Sequence, residues 1–219
     1  MEKTAIVEHA KIAEYVRTAT AEVFSTMLGL DVTPKPERLD QTRPVISEGV
    51  MALVGLAGSW TGAGVITCSA AFAIQICNHL LMAEETSVNE DVLDAMGEVA
   101  NMIIGNFKTL VEDHLGPLGL SIPTVVYGRN FSARSIGNNE WVVLPFECVG
   151  NVIEIRISLA PSNAPLAPRA GAIRTAAQLA SVGRSLPRPS TGSRREPVRP
   201  NGSYRYLVIA TSKHQTRDG

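Results

Sequence analysis

The sequence predicts an α+β domain, a mainly antiparallel sheet with long helices packed on it. Three observations carry that prediction. The order of elements is helix, hairpin, two helices and then strands, which sets helices against an antiparallel sheet instead of threading a βαβ array. Near the end of the body, Ile153, Ile155 and Ile157 alternate with Glu154, Arg156 and Ser158. Such alternation predicts a strand with one buried and one solvated face. Two long segments, near residues 12–27 and 90–115, carry apolar residues at helical spacing.

The elements follow in order. Ile12, Val16, Ala19, Val23 and Met27 share one helical face, and Gly29 supplies a stop. Residues 31–45, polar with two prolines, read as a loop or an irregular edge strand. Two apolar runs, Gly49–Ala57 and Gly62–Cys68, flank the turn-compatible Gly58, Ser59, Trp60 and Thr61, which predicts a β-hairpin. Phe72, Ile76 and Leu80 repeat every fourth residue and mark a short helix over 70–83. Ser87, Asn89 and Asp91 crowd the entry to a long helix that Gly116 and Pro117 end. Gly119–Ser121 reads as a turn before the strand Ile122–Tyr127, and strands at 141–148 and 152–159 complete the body.

Composition divides the chain in two. Of its 219 residues 45% are hydrophobic, which suits one globular domain, and the formal net charge is −1. Residues 1–159 hold 10 basic and 19 acidic residues, a net of −9, whereas residues 160–219 hold 10 basic and 2 acidic, a net of +8. The domain is therefore assigned to 1–159. Residues 160–219, with seven of the 13 prolines, read as a disordered, solvated basic tail. Within it, 170–179 has the pattern of a marginal helix and 204–210 that of a strand. The balance points to neither a nucleic-acid nor a membrane partner. No apolar run reaches the roughly 18 residues of a membrane span, the N-terminus lacks a signal-peptide core, and a cytoplasmic protein is expected. Cys68, Cys77 and Cys148 fit no metal or CxxC spacing and read as buried thiols. The four histidines share no ligand spacing.

The long helix is two-faced. Val92, Met96, Val99, Ala100, Ile103, Phe107 and Leu110 fall on one side, and Glu90, Asp94, Glu98, Asn101, Gly105, Lys108 and Glu112 on the other. Periodicity alone makes this a core face and a solvated face. Two residues do not fit. Asn101 is a mediocre helix former at a mid-helix surface position. Gly105 costs about 1 kcal/mol against Ala in a helix interior, and on the exposed stripe it serves no packing of its own helix. A bare patch beside a carboxylate and a carboxamide suits close approach by another protein's backbone.

The run Gly97-Glu98-Val99-Ala100-Asn101-Met102-Ile103-Ile104-Gly105, Lys108 after it, and Ile122-Pro123-Thr124-Val125-Val126-Tyr127-Gly128 downstream resemble the CheC/CheX/FliY chemotaxis phosphatase family. The family signature sets an acidic residue or Ser, a Glu, an Asn and a downstream Pro, and Asp94, Glu98, Asn101 and Pro123 occupy those places. The hairpin region Met51–Cys68 is similar too, and the resemblance spans about 5–159. With no second ExxN on the first helix, the CheX branch fits best. The basic tail departs from the family, whose members end near the final strand.

The resemblance implies a CheX-like fold and a hydrolase acting on the aspartyl-phosphate of a phosphorylated CheY-like response regulator. Glu98 and Asn101 would be the catalytic pair. Asp94, Gly105, Lys108 and Pro123 would contact the partner or shape the site. No metal site or cofactor is expected in this chain, since Mg²⁺ would sit on the regulator's own carboxylates. A homodimer joined through the sheets is expected. The alternatives are a non-catalytic receiver-binding module and a flagellar-switch scaffold.

Overall fold

The computed structural model describes residues 9–40, 45–132, 140–162 and 205–209. The helix read over 170–179 lies outside them, as does most of the basic tail. Helix α1 (His9–Val23) buries Ile12, Ala13, Val16, Ala19, Thr20 and Val23. The one polar member, Thr20, donates its hydroxyl to the Val16 carbonyl at 2.7 Å, so burial leaves it satisfied. The helix then widens into a π-helical turn, Phe24–Leu28, which Gly29 ends in the left-handed conformation at φ 64°. That turn corrects one assignment. Met27 was placed on the inward face but is 49% exposed, while Leu28 is buried. A π turn holds about one residue more than an α turn, so the inward position moves on by one.

Among the described residues a nine-stranded sheet follows. Its strands are β1 (Thr33–Pro34), β2 (Arg38–Asp40), β3 (Val45–Gly58), β4 (Trp60–Cys68), β5 (Leu118–Leu120), β6 (Thr124–Ser132), β7 (Trp141–Cys148), β8 (Asn151–Pro161) and β9 (Arg205–Ile209). The order is β1-β7-β8-β4-β3-β6-β9, with β2 beside β7 and β5 beside β3. Pairing is antiparallel except between β6 and β9. The expected hairpin is β3–β4, closed more tightly than expected, with only Ser59 between the strands. The irregular edge expected at 31–45 is β1 and β2 on β7. The strand option within the tail is present as β9, and β8 runs to Pro161, two residues past the expected end.

Helices α2 (Ala70–Leu81) and α3 (Glu90–Leu115) open with side-chain caps. Ser69 accepts from the Phe72 N–H, and Asn89 accepts from the Val92 N–H. The core lies between the helices and one sheet face, where Val50, Ala52, Ile66, Leu144, Ile153, Ile155 and Ile157 meet Phe72, Met96, Val99, Ile103 and Phe107.

The other sheet face is not the solvated surface that alternation predicts. Met51, Val65, Trp141 and Val143 are buried together there, and Arg156 and Ser158 are 6% and 2% exposed. Arg156 donates to Glu154 at 2.7 Å and to Asp40 at 3.2 Å, and Arg38 donates to Glu154 at 2.6 Å. Alternation marks Arg as outward, but a guanidinium between two carboxylates can be covered. All three cysteines are buried free thiols, and burial pushes Cys68 up to about 12, out of nucleophilic range. No helix among the described residues is long and apolar enough to cross a membrane.

Candidate active site

Helix α3 packs against α1, α2 and strands β3, β4, β5 and β6. It is therefore buried on more of its circumference than a two-faced helix. Leu93, Ala95, Gly97 and Ile104 are covered along with the expected core residues. The polar stripe survives as a narrow seam in which Asp94, Glu98, Asn101, Gly105, Lys108 and Glu112 are all half-buried. At spacings of three and four residues these groups stand one above another along the helix.

The two ends of the seam differ. Lys108 donates to Glu112 Oε2 at 2.8 Å, and Glu112 Oε1 accepts the Leu118 N–H at 2.7 Å. That backbone hydrogen bond, followed by the Lys108 pairing, holds the Glu112 carboxyl below its ordinary value. Lys108, read as a partner contact, is thus engaged in tying α3 to β5. At the other end, Asp94 Oδ1 is buried with no hydrogen-bond partner among the described residues. Desolvation, and then the charges of Asp91 and Glu90, push its carboxyl above the usual value.

Pro123 lies in the segment between β5 and β6. Gly119–Ser121, read as a turn, belongs instead to a strand and a bulge. Leu56 pairs with Leu120 and Leu53 with Thr124, so residues 121–123 stand opposite only Val54 and Gly55. One extra residue on one strand defines a β-bulge. Ser121 fastens it: the Gly55 N–H donates to Ser121 Oγ at 2.8 Å, and the Ser121 N–H donates to the Gly55 carbonyl at 2.9 Å. A Cβ built on Gly105 would lie 3.9 Å from Leu120 Cδ1, with nothing closer. The strand therefore runs back along α3 past Gly105. Ser121, Ile122 and Pro123 follow Leu120 directly, between β5 and β6. The bulge is not legible in the sequence, because Gly, Ser and Pro are turn formers.

Among the described residues no cluster of three or more His, Cys, Asp or Glu is placed to bind an ion. His9 faces Glu140 at 3.3 Å, His79 faces the Leu28 carbonyl at 3.1 Å, and His114 stacks on Tyr15.

Known proteins share this fold. Residues 50–147 match the family model described as chemotaxis phosphatase CheX. The chain is 27% identical over 131 residues, 58% of its length and 83% of the relative's, to the CheY-P phosphatase CheX of Thermotoga maritima. Over residues 50–147, a little under half of its length, the chain is similar to the CheX chemotaxis phosphatases. The crystal structure of a CheX from Desulfovibrio desulfuricans superposes with a TM-score of 0.63 at 25% identity, covering 68% of this chain and 99% of that one. A CheX–CheY complex with BeF3 and Mg²⁺ from Borrelia burgdorferi gives 0.59 at 26% identity, covering 68% and 97%. The CheX-like α+β fold expected from the sequence is the fold observed.

Proposed function

We propose that this chain hydrolyses the aspartyl-phosphate of a CheY-like response regulator. Glu98 and Asn101 would enter the regulator's phosphorylation cleft together. The observation that carries the reading is the pair itself, one turn apart on the accessible seam of α3 in a CheX-like domain. A curated relative acts on CheY-P, and another CheX has been crystallised with CheY.

The chemistry asks little of the protein. An acyl phosphate is already activated, so catalysis consists of placing water in line with phosphorus and stabilising the charge that spreads over the phosphoryl oxygens. A carboxamide can donate to and accept from one water and hold it on axis, which is the part assigned to Asn101. A bare carboxylate beside a phosphoryl group is repelled. Glu98 is therefore assigned a salt bridge to the regulator's active-site Lys, which orients the docked pair. Mg²⁺ would be held by the regulator's carboxylates and balances charge there. Gly105 leaves room for the partner's backbone, Pro123 shapes the wall, Asp94 borders the contact, and Lys108 acts through Glu112. The expected assembly is a homodimer joined through the sheets.

The test is the decay of a phosphorylated receiver domain with Asn101→Ala and Glu98→Ala chains. Loss of at least about 100-fold in kcat is expected for Asn101→Ala, the scale of a missing transition-state donor. A wild-type rate would remove the water-positioning part. Binding without acceleration by the wild-type chain would leave a receiver-binding module.

A further inference from the structure

Glu98 and Asn101 offer only polar groups, whereas stable docking surfaces centre on an apolar anchor inside a polar rim. The bulge after β5 supplies such an anchor. Ile122 is 59% exposed, while Leu120 and Val125 on either side of it pack into the core. Its backbone is also held. Besides the two bonds between Ser121 and Gly55, the Ser121 hydroxyl lies 3.0 Å from the Ile122 carbonyl and can donate to it. Pro123 then fixes φ on the far side. A Cβ on Gly55 would stand 3.3 Å from Ser121 Oγ, so glycine there lets the clamp close. An exposed apolar side chain on fixed backbone loses less conformational freedom on binding than one on a free loop.

We propose that Ile122, held out by the Ser121–Gly55 clamp, is the apolar anchor on which the receiver domain seats as Asn101 enters its cleft. The proposal rests on the reading of the α3 seam as a receiver-docking site and deepens it. The receiver is the occupant because Ile122 follows by two residues Leu120, whose side chain lies beside Gly105 of that seam. Ser121 is a positioning residue that acts through Ile122.

The experiment measures KM and kcat for a CheY-like receiver domain charged with acetyl phosphate. Ile122→Ser raises KM about tenfold, the scale of one apolar side chain left unburied, and lowers kcat by less than twofold. Ser121→Ala raises KM in the same direction by about threefold, and Ser121→Thr, which keeps the hydroxyl, restores it. Met82→Ser removes a 95% exposed side chain at the end of α2 and leaves KM unchanged. A KM for Ile122→Ser within twofold of wild type overturns the proposal. Binding to a receiver trapped with beryllofluoride and Mg²⁺ separates the two readings. Ile122-dependent binding by a wild-type chain that does not speed decay supports the anchor and removes the enzyme.

Discussion

The seam on α3 changes character half-way along the helix. Towards the C-terminus, Lys108, Glu112 and the Leu118 N–H satisfy one another and bind the helix to β5. Towards the N-terminus, Asp94 carries a buried oxygen without a partner among the described residues, and Gly105 opens a space that a methyl group would fill without a clash. The residues are of similar type and spacing in both halves. What differs is the neighbour: Glu112 holds the β5 backbone at Leu118, while among the described residues a Cβ at Gly105 would meet only Leu120 Cδ1 at ordinary contact distance. A polar stripe is therefore two things at once, a fastening below and a docking surface above, and sequence periodicity cannot separate them.

The sharpest way to break this division is to neutralise one glutamate in each half. Glu98→Gln should cost about 100-fold or more in dephosphorylation, the scale of a charge pair lost at a contact. Glu112→Gln should do the reverse. It weakens both the Lys108 pairing and the acceptor of the Leu118 N–H, lowering Tm by on the order of a few degrees while kcat stays near wild type. Thermal unfolding and decay kinetics on the two variants give four numbers. If Glu112→Gln were the catalytically impaired one, the boundary between the halves would be misplaced.

Acid should act on the two halves in opposite directions. The Glu112 carboxyl is held low by the Leu118 N–H and then Lys108. Its stabilising contribution is present above the unfolded glutamate value of about 4.3 and is lost as pH falls through the folded value below that. The Asp94 carboxyl is pushed up by desolvation and then by Asp91 and Glu90. Its favourable contribution is full below the unfolded aspartate value of about 3.9 and is lost as pH rises through the folded value. At neutral pH ionised Asp94 is therefore a cost, and Asp94→Asn should raise Tm by on the order of a few degrees. That gain should shrink as pH falls towards 4, measured by Tm against pH. A gain independent of pH would mean that the buried oxygen is not ionised at neutral pH.

Much of the fold was legible in the sequence, because it depends on period and punctuation. The amphipathic spacing of α1, the cap Asn89, the Gly116–Pro117 stop and the alternation in β8 each have a local cause. Three features depend on distant partners and were not legible. The π turn moves Met27 outward, the bulge turns Gly119–Ser121 from a turn into sheet, and the carboxylates of Asp40 and Glu154 allow Arg156 to be covered. The site followed the same rule. Asn101 and Gly105 stood out as misfits in their own helix. The fastening role of Glu112 and the clamp at Ser121 need β5 and β3 in place before they have any meaning.

The smallest expected effect bears on the clearest misfit. Gly105 sits in the helix interior, where Ala is favoured by about 1 kcal/mol, and a Cβ there would meet only Leu120 Cδ1 at ordinary contact distance. Nothing among the described residues therefore asks for glycine. Gly64 is the contrast: a Cβ there would come within 2.4 Å of Ile104 Cδ1, so its absence lets α3 lie close to the sheet. If Gly105 serves a partner, Gly105→Ala should raise Tm by about 2–4 °C, the size of that propensity term in a chain of this length, and weaken receiver binding several-fold at unchanged kcat. Stabilisation together with unchanged binding would show that the partner's backbone does not approach at Gly105. The docking surface would then be confined to Glu98, Asn101 and the bulge beside them.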